Sequence, residues 1–152
     1  MFTTVINCSN RKDGFSTLMS SAVVEHLQSD YRSFFLRDSD IQQILESVVI
    51  SDLVVIASPV FSSNLCPPFW NFIDDLSISN SLPCLLIVSC GHSALFCRIN
   101  VSHASKKLKD LGFSNVEVVM VDGTYSLPKG ELRPRHRSRM ISSCRRISSY
   151  IR

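Results

Sequence analysis

"DLVVIASP", Asp52 to Pro59, is the stretch on which the reading of the fold turns. Every residue from Leu53 to Ala57 is apolar, with no polar residue at alternate positions. A strand with one face in water alternates; a continuous apolar run fits a strand covered on both faces, as in a parallel sheet. Parallel neighbours cannot be joined by hairpins and need crossover helices. Strands and helices should therefore alternate on either side of this run, with Pro59 marking its end.

The chain supplies that alternation. "TTVIN" (Thr3–Asn7) precedes apolar Leu18, Met19, Ala22, Val23 and Leu27 at helical spacing from Ser16 onward. "YRSFFL" (Tyr31–Leu36) is a second strand. Ile41, Ile44, Leu45 and Val48 then mark one helix face. After the central run, Pro67-Pro68 opens a helix carrying Phe69, Phe72, Ile73 and Leu76, since proline is tolerated in the first turn. "PCLLIVS" (Pro83–Ser89) is another buried strand. A helix from Ala94 to Leu111 ends at Gly112, a natural C′ residue. "VEVVMV" (Val116–Val121) is the fifth strand, and Met140, Ile141, Cys144, Ile147 and Ile151 form the stripe of a last helix. Five such alternations predict a doubly wound α/β sheet with helices on both faces.

Composition narrows the class. With 152 residues, 45% hydrophobic and 19% charged, the chain suits a single domain, 1–152, with a full-sized core. No cationic start precedes an apolar h-region, and no apolar run is long enough to span a bilayer. The six cysteines are scattered without a CxxC pair or zinc-ligand spacing. They read as reduced thiols, mostly small buried hydrophobes, in a cytoplasmic protein. The net charge of +3 is concentrated in "RPRHRSR" (Arg133–Arg139) and Arg145-Arg146. No aromatic residues interleave that run, so it is read as a solvated face, not a nucleic-acid or lipid surface.

In doubly wound sheets ligands bind outside the carboxyl ends of the strands, where the winding reverses. Three loops are therefore decisive: residues 8–16, 58–66 and 89–94. The first is "CSNRKDGFS". Ser16 stands at the expected N-cap and Thr17 opens the helix, so two hydroxyls and the unpaired first-turn N–H groups point outward. Ser9 and Arg11 add a third hydroxyl and a forked cation, completing a candidate phosphate nest. It is not a GxxxxGK[ST] loop, a GxGxxG turn or a CX5R phosphatase loop.

"CSNRKDGFS" resembles the GSPRKDGNS segment of the flavodoxin-like NAD(P)H-dependent FMN reductases. The resemblance continues through "SDLVVIASPVFSSNLCPPFWNFIDDL" (Ser51–Leu76) and "LPCLLIVSCGHS" (Leu82–Ser93) and spans roughly residues 3–122. It implies a flavodoxin-like, five-stranded parallel sheet of order 2-1-3-4-5. It further implies that Ser9, Arg11, Ser16 and Thr17 hold the FMN phosphate. Pro59, Val60, Phe61, Ser62, Ser63 and Asn64 would line the ribityl chain and one edge of the ring; Ser89, Cys90, Gly91 and His92 would border the ring from the third loop. The implied activity is hydride transfer from NAD(P)H through FMN to a small-molecule acceptor, such as a flavin or quinone, by a homodimer or tetramer. The chain departs from the pattern at five places. Cys8 replaces a glycine, Phe15 an asparagine, Phe61 a tyrosine and Trp70 a lysine, and the third loop has only Gly91.

Three other functions compete. A one-electron carrier would share the fold, although such carriers usually present an acidic face. Cys90, directly after a buried strand and before a helix, stands where a cysteine hydrolase carries its nucleophile, but the elbow glycine two residues earlier is missing. A fold that has lost its cofactor and serves as an interaction module is the third.

Overall fold

A computed structural model describes residues 1–76, 78, 81–124, 127 and 131–151. Its strands are β1 (Phe2–Asn7), β2 (Asp30–Phe35), β3 (Leu53–Phe61), β4 (Asn64–Leu65), β5 (Pro83–Cys90) and β6 (Asn115–Val121). Its α-helices are α1 (Phe15–Leu27), α2 (Ile41–Val49), α3 (Pro67–Asp75), α4 (Arg98–Asp110) and α5 (Pro134–Ser148). The sheet runs β2-β1-β3-β5-β6, all parallel, with β4 antiparallel to β3 off that path. The five parallel strands lie in the expected sequence. The count and order nevertheless need correction to 2-1-3-5-6, because a two-residue strand that no periodicity could signal intervenes.

Side chains of the central strands alternate between two cores. Val54 and Ile56 of β3 pack with Leu86 and Val88 of β5 beneath α2, α3 and α4. Val55, Ala57, Leu85 and Ile87 face α1 and α5 through Met19, Val23, Met140, Cys144 and Ile147. This two-sided cover is why Leu53 to Ala57 could be apolar throughout. β2 is the sheet's edge: its first four residues are exposed, and its composition is correspondingly polar. Some of the polar side chains that the core admits are bonded to each other. Thr4 Oγ1 lies 2.7 Å from the hydroxyls of both Ser47 and Ser51.

Three boundaries differ from the sequence reading. β3 does not stop at Pro59 but continues to Phe61, where it turns back into β4. The helix expected from Ala94 opens as a 3-10 turn, Ala94–Cys97, before α4. α1 begins at Phe15 with Gly14, not Ser16, as N-cap.

α4 ends as its glycine required. Gly112 N–H bonds to Lys109 O and Phe113 N–H to Leu108 O, the paired bonds of a Schellman motif, with Gly112 at φ 110° and Phe113 buried. A Cβ at residue 112 would sit 3.0 Å from the Ile78 carbonyl oxygen. Gly112→Ala is therefore expected to cost at least about 1 kcal/mol, from the left-handed backbone alone. Urea unfolding should show a lower midpoint with an unchanged m-value.

α5 carries a buried histidine. Arg135 Nε donates to His136 Nε2 (3.2 Å), which makes the imidazole neutral and leaves its buried Nδ1 without a hydrogen-bond partner among the described residues. Burial, then the Arg135 charge, hold its pKa below the ordinary 6.5. Asp122 opposes this shift, and Arg133 and Arg139 add to it. A depressed folded pKa means that the unfolded chain binds the proton more readily. The contribution is thus fully present above pH 6.5 and is lost as pH falls through the folded pKa. Compared with wild type, His136→Leu should show a shallower loss of stability below pH 6.5 in urea titrations across pH.

Candidate functional site

The carboxyl ends of β1, β3 and β5 meet at the N-terminus of α1. The register puts Asn7 beside Ala57, and Pro59 beside Ser89. Cys8 N–H continues the β1 ladder by bonding to Ala57 O at 2.9 Å. Between these strand ends and α1 lies a cavity of about 280 Å3. Ser9, Arg11 and Ser16 line it from the first loop and helix, Pro59, Val60 and Phe61 from β3, and Ser89 and Gly91 from β5 and its loop.

α1 presents its N-terminus to this cavity with no side-chain cap and no acidic residue in the first turn. The first-turn N–H groups of any helix lack intrahelical acceptors and carry its positive dipole end. Gly14 allows the chain to fold tightly over this end, since a Cβ there would stand 3.3 Å from Arg11 O and 3.4 Å from Ser9 Oγ.

The hydroxyls are arranged differently from the sequence reading. Ser16 is not the cap: it is buried on α1, and its Oγ lies 3.0 Å from Ser89 Oγ. That bond joins the first loop to the third across the cavity. Ser9 Oγ accepts the Arg11 N–H (3.1 Å), forming a local turn. Thr17 lines neither this cavity nor its neighbour, and its hydroxyl donates to Arg11 O at 3.4 Å. The largely exposed Arg11 guanidinium pairs with Asp13 at 3.4 Å. Outside the cavity, Lys12 and Arg37 both reach Asp38 (3.0 and 3.2 Å), with Lys12 chiefly holding that carboxyl below its usual range. These ion pairs moor the first loop to the turn after β2.

A second cavity of about 130 Å3 adjoins the first, sharing Val60 and Gly91. Ser62, Ser63, Cys90 and His92 line it, together with Phe96 and Cys97. Asn64 lines neither cavity; its Oδ1 accepts from Trp70 Nε1 at 3.2 Å. Trp70 packs edge-on to Phe69 and against His103, away from both cavities. Asp74, on the same helix, is exposed and pairs with Lys107.

Several lining residues were not anticipated. Phe15 and Leu18 follow from α1 starting two residues early, and Asp13 comes from the loop before it. Thr124 and Leu127 come from the loop after β6. Thr124 Oγ1 donates to Cys90 O (3.0 Å), and Gly123 N–H to His92 O (3.1 Å), so that loop is bonded to the third loop. "DGT" at 122–124 marks only a turn, and nothing in the sequence alone aims it at β5. Tyr125, Ser126 and Pro128 to Gly130 of the same segment lie outside the described residues.

Cys90 is not an activated nucleophile. Burial first, then the neighbouring Cys97, push its thiol well up, and its Sγ is 3.0 Å from Cys97 Sγ. The thiol lowered to about 6 is Cys66, through hydrogen bonding with Cys8 and then Ser58, against the opposing effect of burial. Cys66 is 1% exposed and lines neither cavity. The hydrolase reading therefore has no support at Cys90.

No family model matches the chain, and no curated protein matches it either. Solved structures do. An FMN-dependent NADH-azoreductase from Bacillus anthracis, in complex with FMN, matches with TM-score 0.77 and 12% identity over 97% of this chain and 100% of its own. An NADH:FMN oxidoreductase in apo form matches with TM-score 0.81 and 12% identity, over 99% and 90%. A flavodoxin from Streptococcus pneumoniae gives 0.73 and 15%, over 99% and 100%. The fold is thus flavodoxin-like, as the sequence implied.

The β3–β4 hairpin at the cavity mouth stores backbone strain. Its two turn residues, Ser62 and Ser63, have φ of 48° and 70° between the paired Phe61 and Asn64. Two positive φ values in a two-residue turn are the signature that selects Asn-Gly. Replacing Ser62-Ser63 by Asn-Gly should raise stability by about 1 kcal/mol, the usual left-handed cost for an L residue. Thermal unfolding of the double variant measures it.

Proposed function

We propose that the chain is an FMN-dependent oxidoreductase that passes a hydride from NAD(P)H to a small-molecule acceptor such as a flavin or quinone. The observation that carries this reading is the uncapped N-terminus of α1 facing a cavity at the point where the winding reverses. The NADH:FMN oxidoreductase and the FMN-bound azoreductase among its structural neighbours support the same choice.

The residues present fit the group. The first-turn N–H groups of α1, with Gly14 folded against Ser9 and Arg11, would take the phosphate. Arg11 needs only to turn from Asp13 to add a forked cation, and its exposed pair with Asp13 is a weak restraint. Ser9 and the Ser16–Ser89 hydroxyl pair supply further donors at the same wall. Thr17, Ser62, Ser63 and Asn64 are retained as cofactor contacts only through the family pattern. Pro59, Val60 and Phe61 would form the apolar side of the ring site, while the second cavity, with Cys90, Gly91 and His92, would border its far edge.

FMN supplies the hydride chemistry when bound. The chain's part is to orient the ring between β3 and the third loop and to present backbone donors to its polar edge. That chemistry asks for no side-chain acid or base. Phe61 is 57% exposed, so it offers an open stacking face for a nicotinamide or acceptor. We propose that all of 1–152 works as one domain, as a homodimer or tetramer, in the cytoplasm. No helix among the described residues is long and apolar enough to cross a membrane.

The test is the visible spectrum of the purified protein, followed by FMN titration read by flavin fluorescence. Flavin bands or saturable quenching are expected. Arg11→Ala with Ser16→Ala should weaken binding at least about tenfold, the loss of one charge-assisted contact, while circular dichroism stays unchanged. A protein that ignores FMN at high concentration overturns the reading in favour of a cofactor-free interaction module. An unaffected double variant overturns the phosphate assignment.

A further inference from the structure

The two sulfurs beside the second cavity are the best-placed reactive groups that the flavin reading does not use. Cys90 closes β5, and Cys97 ends the 3-10 turn that follows. Their Sγ atoms are 3.0 Å apart, about 1 Å beyond a disulfide bond. Both line the cavity, although their exposures are only 3% and 1%. A reagent must therefore enter that space to reach them. At about 130 Å3 it offers room for one arm of a small disulfide.

The surroundings allow closure. Cys90 is fixed from both sides: its strand pairs with β3 at Val60, and its carbonyl accepts from Thr124. Cys97 hangs on a short 3-10 turn whose Leu95 and Phe96 are 68% and 73% exposed, so this turn can approach β5 without opening the core. The other thiols lack this combination. Cys84 and Cys144 are buried in opposite cores, and Cys8 and Cys66 line neither cavity.

We propose that Cys90 and Cys97 form a reversible dithiol–disulfide pair, a second redox site that takes small uncharged disulfides as oxidants and small dithiols as reductants. One cysteine thiolate attacks a sulfur of the oxidant RSSR, forming a mixed disulfide and releasing RS⁻. The second cysteine sulfur then displaces the remaining RS⁻ and closes the Cys90–Cys97 bond. The pair gives up two electrons and two protons; the oxidant leaves as two RSH. A dithiol reverses both steps. Burial keeps the Cys90 thiol protonated at neutral pH, so closure accelerates as pH rises. Nothing in this exchange needs a flavin, so it stands or falls apart from the proposed cofactor.

The experiment uses the full chain, reduced and then incubated under native, mildly alkaline conditions with 2-hydroxyethyl disulfide. Remaining thiols are alkylated and peptides mapped without reduction. Trypsin is unsuitable, because no Lys or Arg lies between Arg37 and Arg98, and Cys66, Cys84, Cys90 and Cys97 stay on one peptide. Chymotrypsin, which cuts after Leu95 and Phe96, separates the pair. The expected result is loss of two of six alkylatable thiols, a cross-link joining the Cys90 and Cys97 peptides, and full reversal by dithiothreitol. Cys66→Ser should retain the cross-link and Cys97→Ser should lose it. Six alkylatable thiols throughout, a stable mixed disulfide without closure, or a Cys8–Cys66 cross-link in its place would overturn the proposal. The wild-type map decides even if a variant does not fold.

Discussion

The reversal of winding between β1 and β3 is the constraint on which the rest depends. β2 lies on one side of β1, while β3, β5 and β6 extend on the other. Right-handed crossovers then send α1 and α5 to one face and α2, α3 and α4 to the opposite one. The loops leaving β1 and β3 diverge, and the space between them cannot be closed by a helix. It is left to be filled by side chains or a ligand. Here Ser16 bonds to Ser89, and the remainder stays open as the cavity of about 280 Å3.

That cavity pairs two kinds of wall. One is the polar end of α1, where the N-cap is a glycine with no side-chain acceptor for the helix amides. The other is Pro59, Val60 and Phe61, which emerge from the buried strand and become progressively exposed. An anion joined to a flat apolar body matches both walls, whereas a simple anion would use only the first. The loop's own charges are balanced in place: Arg11 by Asp13, and Lys12 by Asp38. Under the proposed reading, phosphate binding there would be an exchange of partners, not the filling of a bare positive hole.

Much of this was legible in the sequence because it depended on burial. Leu53 to Ala57 and Leu85 to Val88 had to be apolar on both faces, and that pattern marks them as central strands, while their order followed only from the family resemblance. Gly112 announced the end of α4 because few residues tolerate its backbone. What could not be read depended on hydrogen bonds made across long sequence distances. Ser16 looked like a cap because serine caps helices, yet its hydroxyl is used by a residue 73 positions away. β4 is two residues long and turns through serines instead of Asn-Gly, so its hairpin carried no local signal. Thr124 joins the site through the Cys90 carbonyl, and a threonine in a turn says nothing of which strand it will meet. The basic stretch finds its partners on the chain itself. Arg135 and Arg139 reach Asp122, and Arg146 reaches Glu117 and Ser143.

The cysteines show the same division most sharply. All six are buried, as their composition suggested, but burial alone does not fix what a thiol can do. Cys84 has only apolar neighbours to raise its pKa, and Cys144 is pushed up to about 11 mainly by burial. Cys66 is lowered because its neighbours stabilise the thiolate, but it is sealed where little can reach it. Cys90 and Cys97 are buried yet edge a cavity, and they are brought together by a strand end and a 3-10 turn seven residues apart. Spacing of seven means contact on neither a straight strand nor a tight turn. Only the corner between two element types brings the sulfurs together. Reactivity in this fold is thus decided at the ends of strands, where backbone direction changes, and not by the hydrophobic pattern that marks its buried strands.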